Sequence, residues 1–450
     1  LSVEPSQPLV CDRIRIRASG LPRGSEVSIE SALTDGAGVT WRASARYRAD
    51  SAGIVDTADA PSAAGTYVGV DPSGPFWSMR PDVDEEPDAF KARARHPMHG
   101  SGRPGFDDEP STPVTLTCRR GDGMVLATTR FTLWFRKPGV EIMALREGRL
   151  RGLVWGPLGN DPGRGVIFVF TGSNGGVDKG YAPLLASLGY RVVSLAFFNY
   201  EDRPKFLVDI DLEYFAEAFA WARRTFGVER VLIKGGSRGG ELVLLLGATY
   251  PEQLCGIVSD IPMHVMLGGV DDQGRECAAW TLGGERLPYV TQADGTAMPL
   301  PEDTEAVIAW RDLSDPMIKD PRLTAGREIA VEKIACPLLL VSGEDDQMWD
   351  SAWGADRVVD RLRAHGSQIP FQHLCLRDTG HWLGVPNRVT SLLGPILHPV
   401  IPRRFALGGT PVGTAREGRR HWDTLTGFLD RCFCAAGQDF AQRPAGDQPR

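Results

Sequence analysis

The sequence predicts an antiparallel β-sandwich followed by an α/β domain built on a mostly parallel sheet. Two observations carry this prediction. Residues 1 to about 138 hold short alternating segments separated by Gly, Pro, Asp and Ser clusters, with no helical period between them. From residue 139 onward, apolar runs alternate with amphipathic stretches at helical spacing, as crossover helices between parallel strands require. Length agrees, because 450 residues exceed what one ordinary hydrophobic core organises.

In the first part, Ile14-Arg-Ile-Arg, Glu26-Val-Ser-Ile-Glu, Val114-Thr-Leu-Thr-Cys and Phe131-Thr-Leu-Trp-Phe read as strands of an immunoglobulin-like sandwich. The charged, Gly/Pro-rich stretch from Pro81 to Asp108 reads as a long surface loop. The pattern changes at Lys137-Pro138-Gly139, so the boundary is placed between 138 and 139, with the second domain running to 435 and residues 436–450 as a tail. A hairpin is expected around Arg146-Glu-Gly-Arg149. Strands are then expected over Gly165–Phe170, Arg191–Ala196, Arg230–Lys234, Gly256–Ser259, Pro337–Ser342 and Phe371–Leu376. Expected helices are Tyr181–Leu188, Asp211–Thr225, Glu241–Thr249 and Ser351–His365. In the second of these, Leu212, Phe215, Phe219 and Ala222 form an apolar stripe for the sheet.

Composition narrows the function classes. A net charge of -7 argues against nucleic acid or an anionic membrane as the main partner. No run of eighteen apolar residues is present, so no membrane-spanning helix is expected. The eight cysteines are scattered, and Cys255, Cys336 and Cys375 lie in or beside apolar runs as small hydrophobes, which points to a reducing, cytoplasmic setting. The Cys432-x-Cys434 pair and His96 with His99 lack companion ligands at metal-site spacing, so neither a metal nor another cofactor is expected.

The chemistry centres on Gly235-Gly-Ser237-Arg-Gly239. In a chain this rich in glycine the bare G-x-S-x-G pattern arises by chance roughly 0.3 times, so its context matters more than its letters. Here it lies between an apolar strand and an apolar helix, the setting of the nucleophile elbow of α/β-hydrolases. A serine hydroxyl needs a base and an acid to orient that base. Two further strand ends supply them: Gly343-Glu-Asp-Asp346 after Pro337–Ser342, and Arg377-Asp-Thr-Gly-His381 after Phe371–Leu376. His381 is therefore the expected base. Asp346 is the favoured acid, Asp345 the second choice, and Asp260 a third, while Glu344 reads as a loop residue. For the oxyanion, the Arg238 amide is one expected donor, and Ser173 or Gly172 of the loop Phe170-Thr-Gly-Ser173-Asn-Gly-Gly176 the other. The Arg238 guanidinium either attracts an anionic substrate or pairs with Glu241 three residues on.

Several segments in order resemble the family of acyl-CoA thioesterases and bile acid-CoA:amino acid N-acyltransferases. They are Gly20-Leu-Pro, Trp41 to Asp50, Leu195 to Asp202, Asp211 to Phe215, the elbow, Gly343 to Trp349 and Thr379-Gly-His381. The resemblance implies Ser237 as nucleophile, Asp346 as acid and His381 as base. It also implies a small-molecule acyl thioester substrate, linked to coenzyme A or a carrier. The family's amino-acid-conjugating members resemble cysteine enzymes, so serine at 237 favours hydrolysis. The segment Pro262 to Ala335 departs most from the family pattern, and its Met263, Met266 and Trp280 are expected to line the substrate's acyl group. Two alternatives stand beside hydrolysis. One is an acyltransferase, lactonising enzyme or lyase of a specialised bacterial pathway on the same site, and the other is a catalytically inert binding protein.

Overall fold

The computed structural model describes residues 1–35, 38–83, 110–158, 163–292, 300–398 and 401–434. The expected loop at Pro81–Asp108 falls largely outside the described residues, as do His96, His99 and the tail from 436.

The first part is an antiparallel β-sandwich. Its larger sheet pairs Thr40–Arg48 with Glu26–Thr34, then Ser111–Arg120, then Val125–Trp134. The smaller sheet pairs Ser2–Glu4, Arg15–Ala18 and Val55–Asp56. Period-two alternation decides which face is inside: Val27, Ile29 and Leu33 alternate with polar residues, and so do Trp41, Ala43, Ala45 and Tyr47 on the neighbouring strand.

The second part is an eight-stranded sheet. We label its strands β1 (Glu141–Glu147), β2 (Leu150–Gly156), β3 (Val166–Phe170), β4 (Arg191–Ala196), β5 (Val231–Gly236), β6 (Leu254–Asp260), β7 (Leu338–Gly343) and β8 (Phe371–Leu376). Their order is β1-β2-β4-β3-β5-β6-β7-β8. β2 is antiparallel to both its neighbours and the remaining pairs are parallel, which is the α/β-hydrolase sheet. The β1–β2 hairpin turns at Gly148, as Arg146-Glu-Gly-Arg149 predicts. Central strands such as β3 and β4 are buried on both faces, so their sequences are continuous apolar runs.

Helices cover both faces. α1 (Ala182–Ser187) and the C-terminal α5 (Pro411–Cys434) pack on the side that shows Ile167, Leu232, Val258 and Val341. The sandwich core is continuous with this side through Leu9, Val10 and Trp77. α2 (Glu213–Phe226), α3 (Arg238–Thr249) and α4 (Ser351–Ala364) cover the side that shows Phe168, Ile233, Ile257 and Leu340. The expected α2 stripe packs there, with Leu212, Phe215, Phe219 and Ala222 all buried. α3 begins three residues earlier than its apolar run suggests, because the helix starts directly at the elbow. The 24-residue α5 escaped the sequence reading altogether: its polar face carries arginines and threonines that mask the apolar stripe Trp422, Leu425, Phe428 and Leu429.

Cys336 is buried and Cys255 and Cys375 are half-buried; all three are free, as small apolar fillers. Among the described residues no helix is long and apolar enough to cross a membrane.

Candidate active site

Three strand ends converge on one point. β5 ends at Gly236, and the next residue, Ser237, adopts φ 57° and ψ -122° before α3 begins at Arg238. A non-glycine residue holds that conformation only where its surroundings over-determine it. They do so here by close backbone approach. A Cβ on Gly235 would sit 2.1 Å from the Gly239 carbonyl oxygen, and a Cβ on Gly239 would sit 2.6 Å from the Thr171 carbonyl oxygen. The Ser237 amide donates to the Asp260 carbonyl at 3.1 Å, locking the turn to β6.

β7 and β8 deliver the two partners. His381 Nε2 lies 2.8 Å from Ser237 Oγ, and His381 Nδ1 lies 3.0 Å from each carboxylate oxygen of Asp346. An ionised carboxylate only accepts, so Nδ1 carries the proton and Nε2 presents its lone pair to the serine hydroxyl. Asp346 is fully buried, and its Oδ1 also accepts from the Met348 amide at 2.9 Å and the Trp349 amide at 3.3 Å. Trp349 stands edge-on to the imidazole, with ring centroids 4.7 Å apart and planes at 89°. The sequence reading missed that wall, although Trp349 closes the very segment that holds the acid.

The neighbouring carboxylates have other partners. Asp345 accepts from the Gln347 side chain at 2.6 Å and from the Gly409 amide at 2.8 Å, so it pins a glycine turn near His381. Glu344 accepts from the Asp378 amide at 3.4 Å. The loops that carry Asp346 and His381 are stitched together: the Asp345 amide donates to the Thr379 carbonyl at 3.0 Å, and the His381 amide donates to the Leu407 carbonyl at 2.7 Å. Gly172 lies against Ser237, since its Cβ would come 3.1 Å from Ser237 Cβ. Arg238 is the first residue of α3, a position whose amide has no acceptor within the helix.

The chain matches known families along most of its length. A family model described as acyl-CoA thioester hydrolase/BAAT N-terminal region matches residues 12–147, and one described as BAAT/acyl-CoA thioester hydrolase C terminal matches residues 210–434. The chain belongs to this family. Human acyl-coenzyme A thioesterase 1 is 31% identical over 436 residues, covering 96% of this chain and 96% of the relative. Human mitochondrial acyl-coenzyme A thioesterase 2 is 31% identical over 438 residues, covering 96% of this chain and 84% of the relative. The mouse peroxisomal succinyl-coenzyme A thioesterase is 30% identical over 448 residues, covering 96% of each.

In this family member the Arg238 side chain is buried and bound by protein groups. Its Nε lies 2.9 Å from Glu241 Oε2, and its two terminal nitrogens donate to the Leu267 carbonyl at 2.8 Å and to the Gly268 carbonyl. Glu241 also accepts from the Trp280 indole at 2.8 Å and from the Leu267 amide at 3.2 Å. Burial pushes the Glu241 carboxyl above its ordinary value, and Arg238 and Trp280 offset part of that rise. The ion-pair alternative for Arg238 therefore prevails over anion attraction. Met263, Met266 and Trp280, expected at the acyl group, are buried residues of the two sheet-flanking clusters. They are only 1%, 7% and 1% exposed, and the Trp280 indole is held by Glu241.

Asp260 is not the acid that meets His381. It ends β6 paired with the Lys234 ammonium, and its other oxygen lies 3.4 Å from His421 Nε2 of α5, all three groups being buried. Burial by itself raises the Asp260 carboxyl, yet Lys234 and His421 outweigh it and bring it down to about 2 from 3.8. A depressed carboxyl contributes stability above its unfolded value and loses it as pH falls through the folded one.

Replacing Asp260 by Asn is expected to cost about 3–5 kcal/mol at neutral pH, because the Lys234 ammonium stays buried without its partner. Urea unfolding of wild type and variant should show that gap narrowing as pH falls from 3.8 to about 2. A gap that is constant with pH would remove the charge from the account. Arg238→Met should likewise destabilise by about 3–5 kcal/mol by leaving Glu241 unpaired. The double variant Arg238→Met with Glu241→Gln should recover part of that loss; no recovery would mean that the guanidinium acts through its carbonyl contacts alone.

Proposed function

We propose that this chain hydrolyses an acyl-CoA-like thioester through an acyl-serine intermediate on Ser237. The observation that carries the reading is the continuous relay from Asp346 through His381 to Ser237 Oγ, at 3.0 and 2.8 Å, on an elbow whose helix starts at the nucleophile. Family membership supports the substrate class. Its relatives are named as acyl-coenzyme A thioesterases along nearly the whole length of the chain.

In this reading, His381 Nε2 takes the Ser237 hydroxyl proton as Oγ attacks the thioester carbonyl carbon. The carbonyl π electrons move onto oxygen, where the Arg238 amide and an amide of the Gly172–Ser173 turn receive the negative charge. The C–S bond then breaks, and the thiolate leaves with the proton from His381. Water attacks the acyl-serine with His381 again as base, the ester C–O bond breaks as His381 returns the proton to Ser237 Oγ, and the carboxylic acid departs. Asp346 keeps Nδ1 protonated and stabilises each transient imidazolium. It suits this role because it is buried and its ionised form also receives two backbone amides. Serine gives an oxyester intermediate for water to cleave, which favours the free acid as product.

Assay of the purified protein with a series of acyl-CoA esters, with and without amino-acid and alcohol acceptors, should give free acid and coenzyme A as products. Ser237→Ala should lose at least about 10⁴-fold in kcat. Asp346→Asn should lose about 10⁴-fold with little change in KM, because an amide facing Nδ1 favours the wrong tautomer. A fluorophosphonate probe should label wild type and not Ser237→Ala. Equal labelling, or thioester hydrolysis that survives Ser237→Ala, would overturn the acyl-serine reading. Acyl-acceptor conjugates as the main product would overturn hydrolysis while leaving the nucleophile in place.

A further inference from the structure

We propose that the N-terminal sandwich clamps the loop that carries the base, and that Asn387 is the positioning residue through which it acts. This rests on the assignment of His381 as the base in the preceding reading.

After β8 ends at Leu376, the chain has no helix or strand until Ile396. His381 therefore stands on an irregular segment, and ordering such a segment needs contacts from outside it. On its N-terminal side the acid loop and the Leu407 carbonyl provide them. On its C-terminal side they come from the sandwich. Asn387, six positions beyond the base, is 3% exposed and left-handed at φ 57°. Its Nδ2 donates to the Val10 carbonyl at 2.6 Å and to the Asp12 carbonyl at 2.8 Å. Both partners are carbonyl oxygens, so the amide orientation follows from the bonding.

The receiving turn is itself rigid. The Val10 amide donates to the Trp134 carbonyl at 2.7 Å, the Leu9 amide donates to the Asp12 carboxylate at 2.8 Å, and the Asp12 amide returns to the Leu9 carbonyl at 2.8 Å. Arg419 of α5 donates to the Cys11 and Asp12 carbonyls at 2.6 and 2.8 Å, so the same turn also anchors the last helix. Further along the loop, the Thr390 amide donates to the Trp77 carbonyl at 3.0 Å and the Ser391 hydroxyl to the Met79 carbonyl. Along the same segment, Leu383, Val385 and Val389 are buried in the cluster that holds Leu9, Val10, Cys11 and Trp77.

Asparagine suits this position for two reasons. It tolerates left-handed backbone, and one nitrogen supplies both donors. Glycine would keep the backbone and lose the donors. Aspartate would turn an acceptor toward two carbonyls. The sandwich thus reaches the site without touching substrate, by fixing where the imidazole can stand.

The test compares full-length Asn387→Gly, Asn387→Asp and Ser391→Ala with wild type. Arg13→Ala serves as a control, since it breaks only the exposed Arg13–Asp423 pair at the rim of the same interface. Each variant is first shown to be folded by circular dichroism at the assay temperature. Both Asn387 variants should lose between about tenfold and about a hundredfold in kcat with KM within about twofold. Their rate of fluorophosphonate labelling should fall in parallel, and amide hydrogen exchange should rise over residues 377–385. Ser391→Ala should move the same way by less, and Arg13→Ala should match wild type. Folded Asn387 variants with wild-type kcat, or a loss that appears in KM alone, would overturn the clamp. So would a loss shared by Arg13→Ala. Should the Asn387 variants not fold, Ser391→Ala decides, and unchanged kcat and exchange there also overturn it. Ser237→Ala separates the two readings: if it is inactive while Asn387 variants are normal, only the clamp falls, and if it stays active, the acyl-serine assignment falls first.

Discussion

The backbone of Ser237 is the constraint around which the second domain is built. A serine at φ 57° and ψ -122° persists only if every neighbouring backbone is too close to let it relax. β3, β5 and β6 supply that crowding: the Gly239 carbon faces the Thr171 carbonyl, and the Ser237 amide is held by Asp260. Glycines at 235 and 239 make the approach sterically allowed. Once the turn is fixed, the hydroxyl projects above the sheet and the start of α3 lies directly behind it.

Everything else about the site follows from parallel strands ending on one edge. β7 and β8 lie next to each other, so the loops after them meet and exchange backbone hydrogen bonds before either side chain is placed. Asp346 then occupies a fully buried position with three donors around one carboxylate. Asp345, one residue earlier, points to the Gly409 turn instead. Adjacent carboxylates thus divide two tasks, orientation of the imidazole and closure of the loop behind it.

Arg238 and Asp260 show how buried charge can serve architecture beside an active centre. Arg238 ties α3 to the segment after β6 through two carbonyls and Glu241. Asp260 joins β5, β6 and α5 through Lys234 and His421. Breaking either pair strands a charge in low dielectric, so the pairs specify how the elements meet more than they add net stability. Both networks attach peripheral elements to the two strands that frame the elbow.

The sequence by itself marked most strands of the parallel sheet, several strands of the sandwich, the elbow and a short set of candidates for its partners, because period-two and period-3.6 patterning and turn chemistry are local properties. It singled out Ser237, Asp346 and His381 because each follows an apolar run at a strand end. It left three carboxylates open as the acid on residue grounds alone, and only tertiary structure shows Asp346 facing His381 while Asp345 and Asp260 face elsewhere. The burial of Met263, Met266 and Trp280, the inward turn of the Arg238 guanidinium and the hold of Asn387 on Val10 and Asp12 were likewise decided there. Those contacts join residues tens to hundreds of positions apart. Their partners are mostly backbone carbonyls, which leave no mark on residue type.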